Sequence, residues 1–247
     1  MQETANDEDD TMKKRLSTTE SPKTYALSPT SLSVMDRCGQ CFWLAQNEKI
    51  AQPRGLFPSL PSGMDEIFKN EYERCAKIDP TGATLPGSLA SLQGKARLFT
   101  DLETLRGWQN FRKGLRTTSD IGDVLYGAPD AILVEDGALV VMDYKTRMNT
   151  VREAPSYNAP QLEIYTHLLR ENGHNVASHA YLQVWSPSAV EGSDLIRFNA
   201  QLFHVDINPD NAAALFDKAT TLLRGPKPAP STSCEYCSYA TKRSMQP

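Results

Sequence analysis

The chain of 247 residues has no uninterrupted apolar stretch near the ~20 residues that a membrane-spanning helix needs, so no membrane association is expected. It also lacks the basic start and apolar core of a secretory signal. Glu3, Asp7, Glu8, Asp9 and Asp10 make its opening acidic, and a cytoplasmic protein is expected. Positive charge is not in excess either. Lys and Arg number 26 against 30 Asp and Glu, a formal net charge of −4, which argues against gripping nucleic acid by charge over the whole surface. No internal repeat is visible. What remains is ordinary globular composition, 40% hydrophobic and 23% charged, at a length suited to one large domain or two small ones.

Residues 1–24 read as a disordered tail, with the acidic run, Lys13-Lys14-Arg15 and a Ser/Thr-rich stretch offering little to bury. A single domain is expected over 25–247. Ser28-Pro29 opens a capped helix that runs toward Cys38. Residues 52–62 are Pro-rich and loop-like, and helical spacing of Met64, Ile67, Phe68, Tyr72 and Cys75 predicts a helix over 63–78 with Cys75 in the core. A short strand over 97–100 and a helix over 104–113 precede two strands, 124–134 and 138–146. A helix over 160–173, strands over 178–185 and 195–207, and a helix over 211–223 complete the pattern. Strands mixed with helices in this order indicate an α/β fold.

Asp136-Gly137 between two hydrophobic runs is a strong hairpin signal. With a two-residue turn, Glu135 faces Ala138, and counting back along both strands sets Asp130 opposite Asp143 and Ala128 opposite Lys145. Val134, Leu139, Ile132 and Val141 share the face of the aspartates, while Leu133, Val140, Ala131 and Met142 occupy the other. Both faces are apolar, so the strands are interior. Two facing aspartates repel unless they share a proton or a cation, and a divalent ion with oxygen ligands, Mg²⁺ or Mn²⁺, resolves the conflict. Pro129 points to a strand end or bulge nearby.

Four of the five cysteines form two C-x-x-C pairs, Cys38/Cys41 and Cys234/Cys237, at opposite ends of the domain. One four-thiolate site would clamp the N-terminal helix to the C-terminal tail, and Cys₄ suits either a [4Fe–4S] cluster or structural Zn²⁺.

Gly127-Ala-Pro-Asp130, then Asp143-Tyr-Lys145, then Gln161-x-x-x-Tyr165, resembles the PD-(D/E)XK nuclease superfamily, and most closely its RecB-like branch with CRISPR-associated iron–sulfur exonucleases. The resemblance spans roughly Ser28 to Tyr239. It implies a restriction-endonuclease-like core, a central mixed sheet with helices on both faces. It further implies metal-dependent cleavage of DNA, with Asp130, Asp143 and the Tyr144 carbonyl holding Mg²⁺ or Mn²⁺ and Lys145 acting on the water or the transition state. Gln161 and Tyr165 would touch the nucleic-acid strand. Relatives often supply a histidine ligand from the preceding helix, yet no histidine precedes His167. Asp65 stands at the matching position, as a ligand or as a helix cap. The resemblance inclines the cysteines toward [4Fe–4S], with zinc as the alternative.

Between Lys95 and Arg116 six basic residues face two acidic ones, with Trp108 and Phe111 interleaved. Arg112 and Lys113 here, and Arg147 beyond the Asp-Tyr-Lys motif, are candidate phosphate contacts. The two aromatics read first as core residues. The expected function is an exonuclease or DNA-processing and repair nuclease acting on single strands or duplex ends, alone or with other DNA-processing proteins. Its rival is a non-catalytic binding or adaptor protein that keeps the fold.

Overall fold

Residues 23–56 and 58–245 are described in the computed structural model of the protein, so the tail expected over 1–24 lies outside them up to residue 22. Strand β1 (Ala26–Leu27) leads into helix α1 (Pro29–Arg37). Ser28 caps α1 reciprocally with Ser31, and Pro29 occupies the first turn, where its missing N–H costs nothing. Helix α2 (Gly39–Asn47) follows at once. Helix α3 spans Ser59–Ile78, four residues longer at its start than the periodicity predicts, and takes over the end of the Pro-rich segment. After β2 (Arg97–Leu98), helix α4 (Leu102–Gln109) is capped by Asp101, whose carboxylate accepts the Thr104 N–H at 3.1 Å.

Next come β3 (Leu115–Thr118), β4 (Val124–Gly127), β5 (Ala131–Glu135), β6 (Ala138–Thr146), α5 (Ala159–Glu171), β7 (His179–Glu191), β8 (Leu195–Asp206), α6 (Asp210–Arg224) and α7 (Glu235–Ser244). Among the described residues the strands form a three-stranded sheet, β1-β4-β3, and a five-stranded mixed sheet, β2-β5-β6-β7-β8. β6 pairs antiparallel with β5 and parallel with β7, with α5 as the crossover that parallel neighbours require. The β5–β6 register runs from Glu135↔Ala138 to Ala131↔Met142, as the two-residue turn predicts. Asp136 and Gly137 have φ of 47° and 80°, the left-handed pair of a type I′ turn.

β6 is buried on both faces. Ile132, Val141 and Leu139 join α1, α5 and α6 in one core, while Leu133, Val140 and Met142 join Tyr72, Cys75 and Leu89 in another. Each such fully buried side chain contributes about 1.5–3 kcal/mol. Cys75 and Trp108 are core residues as expected, but Phe111 is 64% exposed.

The continuous strand expected over 124–134 is broken. β4 joins the small sheet and β5 the large one, because Pro129 has no N–H for a ladder. The ladder therefore ends at Ala131↔Met142. Asp130 lies just outside it, and the residue beside Lys145 is Val184 of β7, not Ala128. Helix 104–113 is likewise shorter than predicted, and β3 and α7 carry no clear periodic signal. Gly127 sits where α5 comes closest: a β-carbon there would lie 2.8 Å from Cε1 of Tyr165. Gly127→Ala is expected to lower stability by about 1–3 kcal/mol through overpacking, seen as a lower urea midpoint at unchanged m.

Candidate active site

Four elements meet at the end of the β5–β6 hairpin away from its turn. β6 contributes Asp143 and Lys145, the segment before β5 contributes Asp130, α3 contributes Asp65, and α5 contributes Gln161 and Tyr165. Asp143 is 1% exposed and forms an ion pair with Lys145, yet neither of its oxygens has an aligned hydrogen bond. Asp130 accepts the Tyr144 N–H at 3.2 Å, and its own carbonyl accepts Gln109 Nε2 at 2.7 Å, which anchors it to α4. Lys69, one turn after Asp65 on α3, bridges Asp65 at 2.7 Å and Asp130 at 3.2 Å.

Burial, reinforced by the charge of Asp130 and opposed by Lys145, pushes the Asp143 carboxyl up to about 7. Burial and then Asp130 also raise Asp65, against the pull of Lys69. Desolvation works to lower Lys69, but Asp130 and Asp65 overcome it and raise the ammonium instead. Three carboxylates crowded into a half-dry site, one buried and without aligned donors, form a donor set that a hard divalent cation fits. Two lysines supply the positive charge otherwise. Sequence reasoning overlooked Lys69 and Gln109, although the Asp65–Lys69 spacing of four on a helix is a readable signal.

Asp143 makes stability depend on pH. The folded chain holds this proton more tightly than the unfolded chain, whose aspartate titrates near pH 4. The contribution to stability is therefore complete below about pH 4 and is lost as pH rises through about 7. Without added divalent metal, Asp143→Asn is expected to melt several degrees above the parent at pH 8 and close to it at pH 4, as measured by calorimetry.

Gln161 Nε2 donates to Tyr165 Oη at 2.8 Å, so the pair projects as one unit. Burial raises the Tyr165 hydroxyl well above its usual range, and the charges of Asp130, Asp143 and Asp65 add to this. Arg147 lies over the exposed ring of Tyr157, 5.1 Å from its centroid. Arg112 and Lys113 are exposed on the turn after α4, a few residues beyond Gln109. Within the basic segment, Arg106 is engaged by Glu73 at 2.5 Å. Trp108 packs on Phe99 and His174, whereas Phe111 stays at the surface beside Arg112.

The two cysteine pairs converge. Cys38 ends α1, Cys41 lies on α2, Cys234 caps α7 and Cys237 lies on it. Cys41 Sγ is 3.6 Å from Cys234 Sγ and 3.5 Å from Cys237 Sγ, and Cys38 Sγ is 3.8 Å from Cys237 Sγ. The Cys38 thiol is drawn down to about 6: burial works to raise it, and hydrogen bonds from the Ser231 and Cys41 backbone outweigh that. All four sulfurs lie within 4.8 Å of one another. Among the described residues no other group of metal-ligating side chains converges so closely. No helix among them is long and apolar enough to cross a membrane.

No curated protein matches the chain significantly. The solved structure of SSO0001 superimposes with a TM-score of 0.44 at 16% identity, covering 94% of this chain and 92% of that one. The sequence model of the PD-(D/E)XK nuclease superfamily matches residues 26–241, from β1 into α7, and takes in the hairpin, both aspartates, Lys145 and all four cysteines. The chain belongs to the PD-(D/E)XK nuclease superfamily.

Proposed function

We propose that the protein is a Mg²⁺- or Mn²⁺-dependent DNA nuclease of the RecB-like branch, acting on single strands or duplex ends in DNA processing or repair. The observation that carries this reading is Asp143, a buried carboxylate without an aligned hydrogen bond, set between Asp130 and Lys145. Asp130, Asp143, the Tyr144 carbonyl and Asp65 are the groups that would hold the cation. When bound, it supplies an acidified water and neutralises charge developing on the phosphate. Lys145 favours the ionised form of Asp143 against burial and offers its ammonium to the phosphoryl oxygens. Lys69 holds Asp65 and Asp130 in place. Gln161 and Tyr165 present donors to the strand, and Arg112, Lys113 and Arg147 offer charge to its backbone. The chain carries a formal net charge of −4, so the grip rests on these few cations and on the metal.

The sulfur spacing supports zinc over a [4Fe–4S] cluster at the cysteines. Four thiolates bound tetrahedrally to one ion at about 2.3 Å lie about 3.8 Å apart. Three of the six Sγ separations are 3.5–3.8 Å and all lie within 4.8 Å, nearer to one shared ion than to a cluster, which places each thiolate on a different iron and spreads them further.

The test is cleavage of end-labelled single- and double-stranded DNA with Mg²⁺, Mn²⁺ or no added divalent metal. Cleavage that requires the metal and starts from ends is expected. Binding without cleavage under every metal condition would instead leave a nucleic-acid-binding adaptor.

A further inference from the structure

We propose that a cleft beside the carboxylates receives a nucleobase of the strand being cut, an inference that rests on the nuclease reading above. The cleft, about 340 Å³, opens between α1, the turn Ser156–Asn158, the start of α5 and α6. That lies within the range of small-ligand sites and is ample for a single base. Its floor is apolar, with Leu32 and Ile164 at 2% and 1% exposure. Tyr157 stands at its rim with 63% of its surface exposed, so its ring is open to a group entering the cleft.

Charge narrows the occupant. Asp36 is the one charged residue among those lining the cleft, so a phosphate or an acidic peptide would be repelled. The nearby cation, Arg147, is outside, over the ring of Tyr157. A flat, uncharged group with N–H donors on its edge suits this arrangement. It stacks on the tyrosine, its edge meets Asp36, and the phosphate that follows it meets Arg147. A nucleobase has these properties.

The cleft is also continuous with the site. Gln161 lines it and donates to Tyr165 Oη. Tyr165 in turn senses the charges of Asp65, Asp130 and Asp143. Gln161 and Tyr165 therefore lead from the cleft toward the carboxylates, which places the bound base beside the scissile phosphate.

Single-stranded oligonucleotides carrying one 2-aminopurine, moved stepwise along the strand, test this on the full chain with Ca²⁺, a hard cation that neutralises the carboxylates in place of Mg²⁺. Quenching is expected at one position. Tyr157→Ala should abolish it and weaken binding about 10-fold, while Tyr157→Phe restores both. An abasic nucleotide at that position should weaken the parent equally but leave Tyr157→Ala unchanged. Tyr157 is exposed, so the melting temperature should not move. Wild-type-like binding and quenching by Tyr157→Ala, or losses that add instead of coinciding, would overturn the cleft alone. A parent chain that binds no oligonucleotide with Ca²⁺ present and cleaves none with Mg²⁺ or Mn²⁺ would overturn the nuclease reading with it.

Discussion

Lys145→Met is expected to lower the maximal rate of Mn²⁺-dependent cleavage by about 10²–10³-fold, the loss that follows removal of one preorganised charge from a transition state (~2.7–4 kcal/mol). Methionine keeps the aliphatic stem, so packing changes little, and only the ammonium is lost. Lys145 is partly exposed while its partner Asp143 is buried, which gives it one end on the carboxylate and one toward the approaching strand. The defect should fall mainly on kcat, with KM nearly constant, because the charge matters most when the phosphate carries more of it. Asp143→Asn should be inactive for another reason, seen as loss of Mn²⁺ binding by calorimetric titration whatever the substrate. Should Lys145→Met cleave within threefold of the parent, the transition-state role would pass to Lys69, the other lysine in contact with these aspartates.

Replacing Cys237 with serine should release the C-terminal segment and lower the melting temperature by about 10 °C. Helix α7 buries none of its own residues. Its attachment is the small cluster of Cys38, Cys41 and Cys234 with Val34 and Cys237, and the Pro-rich segment before it is held by Gln40 and Trp43 side chains that donate to the Pro228 and Gly225 carbonyls. With one thiolate gone, a bound ion loses a ligand and α7 has no buried residue of its own to hold it. Limited proteolysis should then cut between residues 226 and 245, where the parent is protected. Elemental analysis of the parent should find one zinc per chain and a colourless protein. A brown protein containing about four irons would overturn the zinc assignment, and an unchanged melting temperature in Cys237→Ser would overturn the clamp.

The hairpin was readable before any coordinates, and for a local reason. A type I′ turn at Asp136-Gly137 sets the register, and the two-residue period of a strand then carries Asp143 and Lys145 to one face. The helices with apolar stripes and the capped start at Ser28 were legible in the same way. Their boundaries drifted at Ser59 and Gln109, where the terminal turns carry little periodic signal. The departure from register at Asp130 is also local, since Pro129 denies the ladder a donor.

What the chain determined by itself was the set of chemical groups and the register of one hairpin, because turn geometry and side-chain alternation act over a few residues. Tertiary packing decided which distant groups meet. It brought Lys69 between Asp65 and Asp130, left Phe111 outside, and set the spacing of the four cysteines whose joint site the two C-x-x-C pairs had already suggested. Such meetings depend on how helices seat against a sheet across tens or hundreds of residues, and no periodicity within a single segment encodes that.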